Sequence, residues 1–364
     1  MQGPLVFIGI RKAEGLSGAA IMVRRQIESL VAQGFCIHLA AERLDTAWAA
    51  QVGIRWSRLP CPWWRRGAIR ERFAAWAERQ AARLQPDLVV GHGDLRQQDV
   101  LHLHNLVHRA HRILTGRPLA ADDALGHLHT TQLRQPGLTV IANSQMMATA
   151  LTEDAGLPQE RIRLLHPGFD ATAFTPADAG RRQQARRTLG LPDDRPVLGL
   201  IASGDLHKRG ADLLLAALAQ PALAILKPLT VIVGKERHPE RWLAHAPTGA
   251  EVRFLPPRPD VATLYDALDA LAAPARIEEF GMCVLEGAAA GLPIVVSATT
   301  GAAKALEHLP RVTVVSDLSP GPLGAALAEA LVQGRQAAPD LGALAWPAHG
   351  KALAEIYRER LTTR

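Results

Sequence analysis

The chain has 364 residues, of which 48% are hydrophobic and 21% charged, the size and composition of an α/β protein with room for two domain cores. The net charge of +6 favours an acidic partner, a class that includes phosphorylated substrates, anionic membranes and nucleic acids. No apolar run reaches the roughly 18–20 residues of a membrane-spanning helix, and the N-terminus lacks the features of a signal peptide.

Apolar strand-like runs alternate with helix-length segments along the whole chain, which predicts parallel sheets covered by helices. In the first half, the predicted strands are 5–10, 36–40, 88–90, 100–104, 139–142 and 164–165. A loop of small residues that includes Ser17 and Gly18 follows the first strand and leads into a predicted helix, 21–33. Such a loop lets the backbone approach a phosphate at a helix N-terminus, although most strand-to-helix turns contain a glycine.

A basic, tryptophan-rich segment lies at 55–83, where Trp63, Trp64, Arg65 and Arg66 precede a predicted amphipathic helix. This composition is typical of an interfacial membrane anchor, and equally of a surface helix whose apolar stripe packs on the N-terminal sheet. Nucleic acid is not expected as a partner, because no recognised binding module accompanies the arginines. The three cysteines lack paired or metal-ligand spacing, so we expect a cytoplasmic protein, either free or peripheral on the inner face of the membrane.

Histidines are concentrated between 99 and 111, where the chain contains His102, His104, His108 and His111. Their spacing is compatible with metal binding, but no carboxylate is expected to converge on them, so we predict no metal site. His104 is retained as a candidate site residue because it stands at the carboxyl end of a predicted strand. A structural histidine is the alternative.

The second half repeats the alternating pattern after a proline-containing stretch at 166–176. Its predicted strands are 197–202, 229–233, 252–254, 270–272, 294–296 and 312–315, and the chain ends in a predicted helix, 346–360. We therefore predict an N-terminal domain over 1–175, a C-terminal domain over 176–345, and a C-terminal helix, 346–364, that crosses back to the first domain. Two Rossmann-like domains would bind ligands at the carboxyl ends of their strands.

Two motifs in the second half indicate phosphate and sugar chemistry. Lys208 and Arg209 follow its first strand, and adjacent cations suit a diphosphate, although a solvated basic loop has the same composition. Glu278 and Glu286 flank a turn that opens an alanine-rich helix. A carboxylate there can accept hydrogen bonds from hydroxyls while the helix N-terminus binds phosphate, which indicates a nucleotide sugar. First-turn acids are also common for purely structural reasons.

The segment 278–286 resembles the Glu-x7-Glu signature of the family-4 retaining glycosyltransferases. Those enzymes have the GT-B fold, an α/β architecture of two Rossmann-like domains whose parallel sheets face a central cleft. In them the first acid contacts donor-sugar hydroxyls and the second contacts the ribose, which would give these roles to Glu278 and Glu286. The family usually reads Glu-Gly-Phe-Gly, whereas Glu279 replaces the first glycine here.

Other motifs extend the resemblance over nearly the whole chain. Lys208 and Arg209 match the family's basic loop, and His104 lies where related enzymes carry a histidine that contacts the donor sugar. Segments 88–91 and 233–235 are similar to those of lipopolysaccharide-core glucosyltransferases. The candidate donor-binding residues are Ser17, Gly18, Gly204, Lys235, Arg258, Phe280, Gly281, Met282 and Glu286.

The resemblance implies a retaining, metal-independent enzyme that moves a hexose from a nucleoside diphosphate, expected to be UDP, to a hydroxyl of a cell-envelope glycan or glycolipid such as lipopolysaccharide core. Its candidate catalytic residues are Glu278, Lys208, Arg209 and His104. No cofactor is expected, because the sequence contains no Asp-x-Asp triplet and the cations can meet the diphosphate charge. Two alternatives stay open: a nucleotide-sugar epimerase of the same fold, which would need no acceptor, and a non-catalytic membrane- or glycan-binding protein.

Overall fold

The computed structural model describes residues 3–15, 18–60, 69–202 and 204–363. The chain forms two compact units, Met1–Gly168 together with Ala343–Arg364, and Phe169–Gly342. These limits differ by a few residues from the predicted boundaries at 175 and 345. The reason at the first boundary is that Phe174 packs edge-on against Tyr265 of the second unit, with ring centroids 5.4 Å apart.

The first unit is built on a parallel sheet. Its strands are β1 (Leu5–Gly9), β2 (Cys36–Ala41), β3 (Arg55–Arg58), β4 (Leu88–Gly91), β5 (Val100–His102), β6 (Thr139–Ala142) and β7 (Ile162–Leu164). Its helices are α1 (Gly18–Ala32), α2 (Thr46–Val52), α3 (Ile69–Leu84), α4 (Val107–Thr115), α5 (Ala124–Leu133), α6 (Gln145–Ala155) and the C-terminal α15 (Trp346–Thr362). The strand order is β3-β2-β1-β4-β5-β6-β7.

Helices cover both faces of this sheet, which explains why its central strands are almost continuously apolar. Val6, Phe7 and Ile8 of β1 are all buried. The C-terminal helix α15 contributes Leu353 and Tyr357 to the same core as β1 and α1. Residues from opposite ends of the chain therefore stabilise the first sheet together.

Helix α3, which carries much of the basic segment, packs its apolar stripe against the first sheet. Phe73 and Ala77 are fully buried in one cluster with Phe7, and Trp76 packs against that cluster. The apolar stripe of α3 is therefore covered by the first unit itself, as expected if the 55–83 segment is a surface helix that packs on the N-terminal sheet. Among the described residues, no helix combines the length and hydrophobicity needed to cross a membrane.

The second unit also contains a parallel sheet. Its strands are β8 (Val197–Ile201), β9 (Leu229–Val233), β10 (Val252–Leu255), β11 (Ala270–Ala273), β12 (Ile294–Ser297) and β13 (Val312–Val315). Its helices are α7 (Ala179–Leu189), α8 (Ala211–Ala217), α9 (Pro221–Leu226), α10 (Glu240–Leu243), α11 (Val261–Ala267), α12 (Met282–Ala289), α13 (Gly301–Leu306) and α14 (Pro320–Gln333). The strand order is β10-β9-β8-β11-β12-β13.

A buried arginine fastens α7 to this sheet. The Arg186 side chain is 0% exposed and donates to the carbonyl oxygens of Ala267 at 3.0 Å and Pro192 at 2.8 Å. Its guanidinium also pairs with the carboxylate of Asp269, 2.5 Å away. This pairing satisfies a charge that would otherwise be costly to bury.

The predicted α/β fold with parallel sheets is confirmed, and all twelve predicted strands have a counterpart, although the one predicted over 164–165 lies at Ile162–Leu164. The strand predicted over 100–104 ends earlier, at His102, so His104 lies in the following loop. The sequence did not predict β3, because this edge strand is polar and mostly exposed and lacks an apolar run.

Candidate functional site

Both sheets reverse their winding direction between two central strands, at β1 and β4 in the first unit and at β8 and β11 in the second. In doubly wound α/β sheets, ligands bind beside the carboxyl ends of the strands at such switch points. The loops that leave β8 and β11 carry the predicted diphosphate and sugar residues. Within the second unit, therefore, topology alone places the two motifs beside each other.

The loop after β8 holds its two cations in a fixed turn. The Asp205 carboxylate accepts from the backbone N–H of His207 at 2.9 Å and of Lys208 at 3.3 Å. Gly210 ends the turn with φ +73°, and a Cβ atom there would stand 2.0 Å from the carbonyl oxygen of Pro274. Only glycine fits this close approach between the loops after β8 and β11.

The loop after β11 is held from its other side by the loop between β12 and α13. Backbone N–H of Glu278 donates to Thr299 O at 3.1 Å, and Gly301 N–H donates back to Glu278 O at 2.8 Å. Ala302 N–H donates to Phe280 O at 2.7 Å. The backbone that presents the two adjacent acids is thus fixed by three hydrogen bonds.

Ion pairs join these two loops. Lys208 Nζ lies 3.0 and 2.8 Å from the two carboxylate oxygens of Glu279, and Arg209 pairs with Glu278. Arg276 N–H also donates to Lys208 O at 3.0 Å. Burial lowers the pKa of the Arg209 guanidinium below its usual value. Three of the four predicted catalytic residues therefore meet in one cluster.

Glu286 faces a different set of neighbours, one turn into α12. Its Oε2 accepts a hydrogen bond from Tyr265 Oη at 2.5 Å. Burial raises the pKa of Glu286 to about 7, and the hydrogen bond from Tyr265 opposes that rise. Burial also raises the pKa of the nearby Cys283 thiol to about 11, against the influence of Arg209. Burial therefore brings the pKa of Glu286 close to neutrality.

The three remaining predicted contacts of the Glu-x7-Glu segment, Phe280, Gly281 and Met282, lie where the chain enters α12. Gly281 is the N-cap of the helix, with φ +92°, and no side chain caps the helix there. A Cβ atom at Gly281 would lie 2.9 Å from Thr300 Cγ2, so this position also requires glycine. Met282 is half-buried, whereas Phe280 is buried and packs into the unit.

The other predicted donor residues of the second unit lie in the loops that follow β8, β9 and β10. Gly204 is exposed, and a Cβ atom added there would meet open space. Lys235 is exposed just after β9. Arg258 forms a two-pronged ion pair with Asp260, at 2.6 Å for both contacts.

In the first unit, Gly18 is the exposed first residue of α1, and a Cβ atom added there would meet open space. Arg24 reaches back from α1 to the loop before it and donates to Gly15 O at 3.0 Å. Five predicted site residues lie outside the described residues: Ser17, Trp63, Trp64, Arg65 and Arg66.

His104 belongs to a row of packed imidazoles in the first unit. Its Nε2 lies 3.0 Å from His92 Nδ1, and the His92 ring stacks on His102 with centroids 4.5 Å apart. His102 Nε2 lies 2.8 Å from Tyr357 Oη, and Gln26 donates toward His102 Nδ1 at 3.5 Å. Burial, reinforced by the neighbouring histidines, holds the pKa of His92 and of His102 well below its usual value. Within the described ranges, no three His, Cys, Asp or Glu side chains are grouped as metal ligands.

Sequence reasoning missed several members of these clusters. His92 was not singled out, although it lies two residues after the predicted strand 88–90, close to the carboxyl end of a strand like His104. Tyr265 and Tyr357 gave no signal, since each is a single buried tyrosine on a helix that approaches its partner only in the folded unit. Glu279 was noticed as a substitution, but its partner Lys208 was not foreseen.

Two family models match the chain. Residues 16–173 match Glycosyltransferase Family 4, and residues 195–333 match Glycosyl transferases group 1. The interval between the two matches, 174–194, contains α7. Both motif loops of the second unit fall within the second match.

Among curated proteins, the chain is similar to several that are named D-inositol 3-phosphate glycosyltransferase. The protein from Mycolicibacterium paratuberculosis is 29% identical over 275 residues, which are 70% of this chain and 62% of that protein. The one from Salinispora arenicola is 35% identical over 185 residues, 46% of this chain and 41% of that protein. The chain thus spans roughly half the length of the curated relatives that it matches.

Solved structures with the same fold cover the whole chain. WaaG, described as a glycosyltransferase involved in lipopolysaccharide biosynthesis, has a TM-score of 0.76 at 19% identity over 99% of this chain and 95% of its own. HepE of Anabaena, solved in complex with UDP and glucose, has a TM-score of 0.70 at 17% identity over 98% of this chain and 100% of its own. At these identities the likeness concerns the fold.

Proposed function

Since this chain belongs to the family-4 glycosyltransferases and has their GT-B fold, we propose that it transfers a hexose from a nucleoside diphosphate sugar to a hydroxyl group. The donor is a UDP sugar, and the acceptor is a cell-envelope glycan or glycolipid. The reaction retains the anomeric configuration and needs no metal. The protein works in the cytoplasm, where a membrane-bound acceptor would bring it to the inner face of the membrane.

One observation carries this proposal: the second unit joins the loop with the cations to the loop with the acids. Lys208 and Arg209 reach Glu279 and Glu278 across the switch point between β8 and β11. In a nucleotide sugar, the diphosphate is bonded directly to the sugar. A binding site for it therefore needs the cations that bind the phosphates to lie next to the carboxylates that accept hydrogen bonds from the sugar hydroxyls. A solvated basic loop would not require that proximity.

The proposed roles follow from the chemistry of each side chain. Lys208 and Arg209 neutralise charge on the leaving diphosphate, together with the N-terminus of α12. Glu278 accepts hydrogen bonds from the sugar, and Glu286 accepts them from the ribose. In the first unit, His104 is proposed to contact the sugar. The leaving phosphate takes the proton of the acceptor hydroxyl, so no side chain needs to act as a base.

Two kinds of relative support different parts of the substrate proposal. HepE was solved with UDP and glucose, which supports a UDP sugar as donor. WaaG is described as acting in lipopolysaccharide biosynthesis, which supports a glycolipid acceptor, whereas the curated relatives are named for D-inositol 3-phosphate. An acceptor assay should therefore offer both classes. If the enzyme transfers sugar only to D-inositol 3-phosphate, the proposed glycolipid acceptor is wrong.

The roles of the cations can be tested with Lys208→Ala and Arg209→Ala. Each should lower turnover of a UDP sugar by about 10²–10³-fold, the usual cost of removing a donor that stabilises developing negative charge. Arg187→Ala is the matched control, because Arg187 is an exposed cation of the same unit whose contact is Gln184 on its own helix. Circular dichroism would verify that all three variants fold. Unchanged donor consumption in both test variants would refute the assignment.

A panel of nucleotide sugars, with and without acceptor, separates the proposed function from its alternatives. A transferase consumes one donor rapidly only when an acceptor is present. Interconversion of a UDP sugar without acceptor would instead identify an epimerase. Calorimetry with UDP tests the third case, since a protein that only binds membrane or glycan should show no heat of nucleotide binding.

A further inference from the structure

Glu279 occupies an unusual place for an acid. The resemblance to family 4 predicts glycine at this position, yet the Glu279 side chain is only 4% exposed. Both of its carboxylate oxygens accept hydrogen bonds from Lys208 Nζ, at 3.0 and 2.8 Å. Lys208 is 15% exposed. Burying a carboxylate is costly unless it has partners, so the pair is a built feature of the site and not a chance surface contact.

This acid changes the charge that the two motif loops present to a ligand. Over 204–212 and 274–281, three cations stand against four acids, a formal charge of −1 when His207 is neutral. Each of these cations is engaged by an acid within the unit: Lys208 by Glu279, Arg209 by Glu278, and Arg276 by Asp212. With glycine at 279 the same loops would be neutral. The two loops together therefore carry no net positive charge, although the adjacent Lys208 and Arg209 make the sequence look basic.

The substrate and product of the proposed reaction differ in charge at the atoms that these loops would bind. In a nucleotide sugar, both phosphates are esterified and carry one negative charge each. After transfer, the terminal phosphate of the nucleoside diphosphate is bonded only to the neighbouring phosphate. Its second ionisation, at a pKa of about 6 as in a phosphate monoester, gives it close to one further negative charge at neutral pH. A negative group fixed beside Lys208 opposes that additional charge more than it opposes the donor.

We propose that Glu279 is a positioning residue that acts through Lys208 to make the donor site favour the nucleotide sugar over the free nucleoside diphosphate, and so promotes release of the product. The inference rests on the proposed function of the same site. An ammonium group has three N–H donors, and two of them face the Glu279 oxygens, which leaves one for a phosphate oxygen. Glu279 thus orients the Lys208 ammonium group and at the same time lowers the affinity of Lys208 for a dianionic terminal phosphate.

Glu279→Gln tests this inference, because it removes the charge and keeps the shape of the side chain. We expect UDP to bind about three- to tenfold more tightly to the variant than to the wild type by calorimetry at low salt and pH 7.5, since one opposing charge is gone. UDP-glucose should gain less. In steady state, UDP should become a correspondingly stronger product inhibitor. A residue with only a structural role would weaken both ligands when replaced and would tighten neither.

Glu251→Gln is the matched control. Glu251 directly precedes β10, at the opposite end of the strands from the motif loops, and pairs with Arg195 and Arg253. The Glu251→Gln substitution therefore removes one paired negative charge from the same unit at a distance from the donor site. The affinity for UDP should not change. Glu279→Gly provides a second test variant, since glycine is the residue that the family usually carries there.

The outcomes are distinguishable. UDP affinity that is unchanged or weaker in both Glu279 variants, with a wild type that binds UDP, overturns the role of Glu279 and leaves the proposed function standing. Equal tightening in the Glu251→Gln control overturns it as well, because the effect would then be one of overall charge. A wild type that binds neither UDP nor UDP-glucose overturns the proposed function and this inference together.

Discussion

The hydrogen bond between Tyr265 and Glu286 leads to a prediction about the pH dependence of donor binding. Tyr265→Phe removes the hydroxyl that donates to Glu286 Oε2 at 2.5 Å and leaves the buried ring in place. This hydroxyl stabilises the carboxylate form, so its loss must raise the pKa of Glu286 above its present value of about 7. An ionised Glu286 is the better acceptor for ribose hydroxyls. Donor binding should therefore need a higher pH in the variant.

The size of the shift follows from the contact. A hydrogen bond to a charged group contributes about 1.5–3 kcal/mol, and about 1.4 kcal/mol corresponds to one pKa unit. Glu286 is half-buried, so water replaces part of the lost interaction and we take the lower end, about one unit. The pKa of Glu286 would then be about 8 in the variant. At pH 7.5 the ionised fraction would fall about threefold, and the affinity with it.

The assay is calorimetric titration with UDP-glucose between pH 5.5 and 8.5, a range in which the diphosphate of this ligand does not titrate. Wild-type affinity should rise with pH through about 7 and then level off, and the Tyr265→Phe curve should lie about one pH unit higher. Tyr357→Phe is the matched control, because it removes another fully buried hydroxyl, in the first unit, whose partner is His102. A wild-type profile that does not rise near pH 7 would refute the role of Glu286 in binding, and superimposable rising profiles would refute the role of Tyr265. The same shift in the control would refute the role of Tyr265.

Two further predictions concern stability, and urea unfolding measures both. Arg186→Met should lower the free energy of unfolding by about 2–4 kcal/mol, because it leaves the carbonyl oxygens of Ala267 and Pro192 without their donor and removes one of the two arginines that pair with Asp269. The exposed Arg187→Met should change it by less than about 0.5 kcal/mol. Gly210→Ala should cost about 2–4 kcal/mol, since a left-handed backbone is combined with a clash against Pro274, while Gly190→Ala, with φ +64° and open space around it, should cost only about 1 kcal/mol. Equal losses within either pair would contradict the structural reasoning.

The sequence predicts the fold well because its signals are local. An apolar run flanked by polar loops is readable without knowing its neighbours, and the order of such runs already implies parallel sheets. The polar edge strand β3 was missed because exposure on an edge removes that signal. The motif residues Lys208 and Glu278 were found for a similar reason, since each lies in a loop that follows a predicted strand and contains a glycine.

Pairing between loops is what the sequence does not reveal. Lys208 and Glu279 are 71 residues apart, and their contact depends on β8 and β11 being neighbours in the sheet. Strand order is a property of the whole unit, so no local pattern encodes it. The same holds for the contact between His102 and Tyr357, 255 residues apart. Both contacts change the local charge or the pKa of the groups around them. The motifs therefore located the residues correctly but did not reveal the net charge of the folded site.

The overall charge of the chain illustrates that misjudgement. A net charge of +6 and a loop with two adjacent cations both favour an anionic ligand. In the folded second unit, however, the cations of the motif loops are bound to acids of the same loops, and the loops together carry a formal charge of −1. A diphosphate would therefore have to be recognised by directed hydrogen bonds from Lys208, Arg209 and the start of α12, since the local formal charge does not attract it. Such a site can distinguish anions that differ by a single charge, because no excess of positive charge masks the difference.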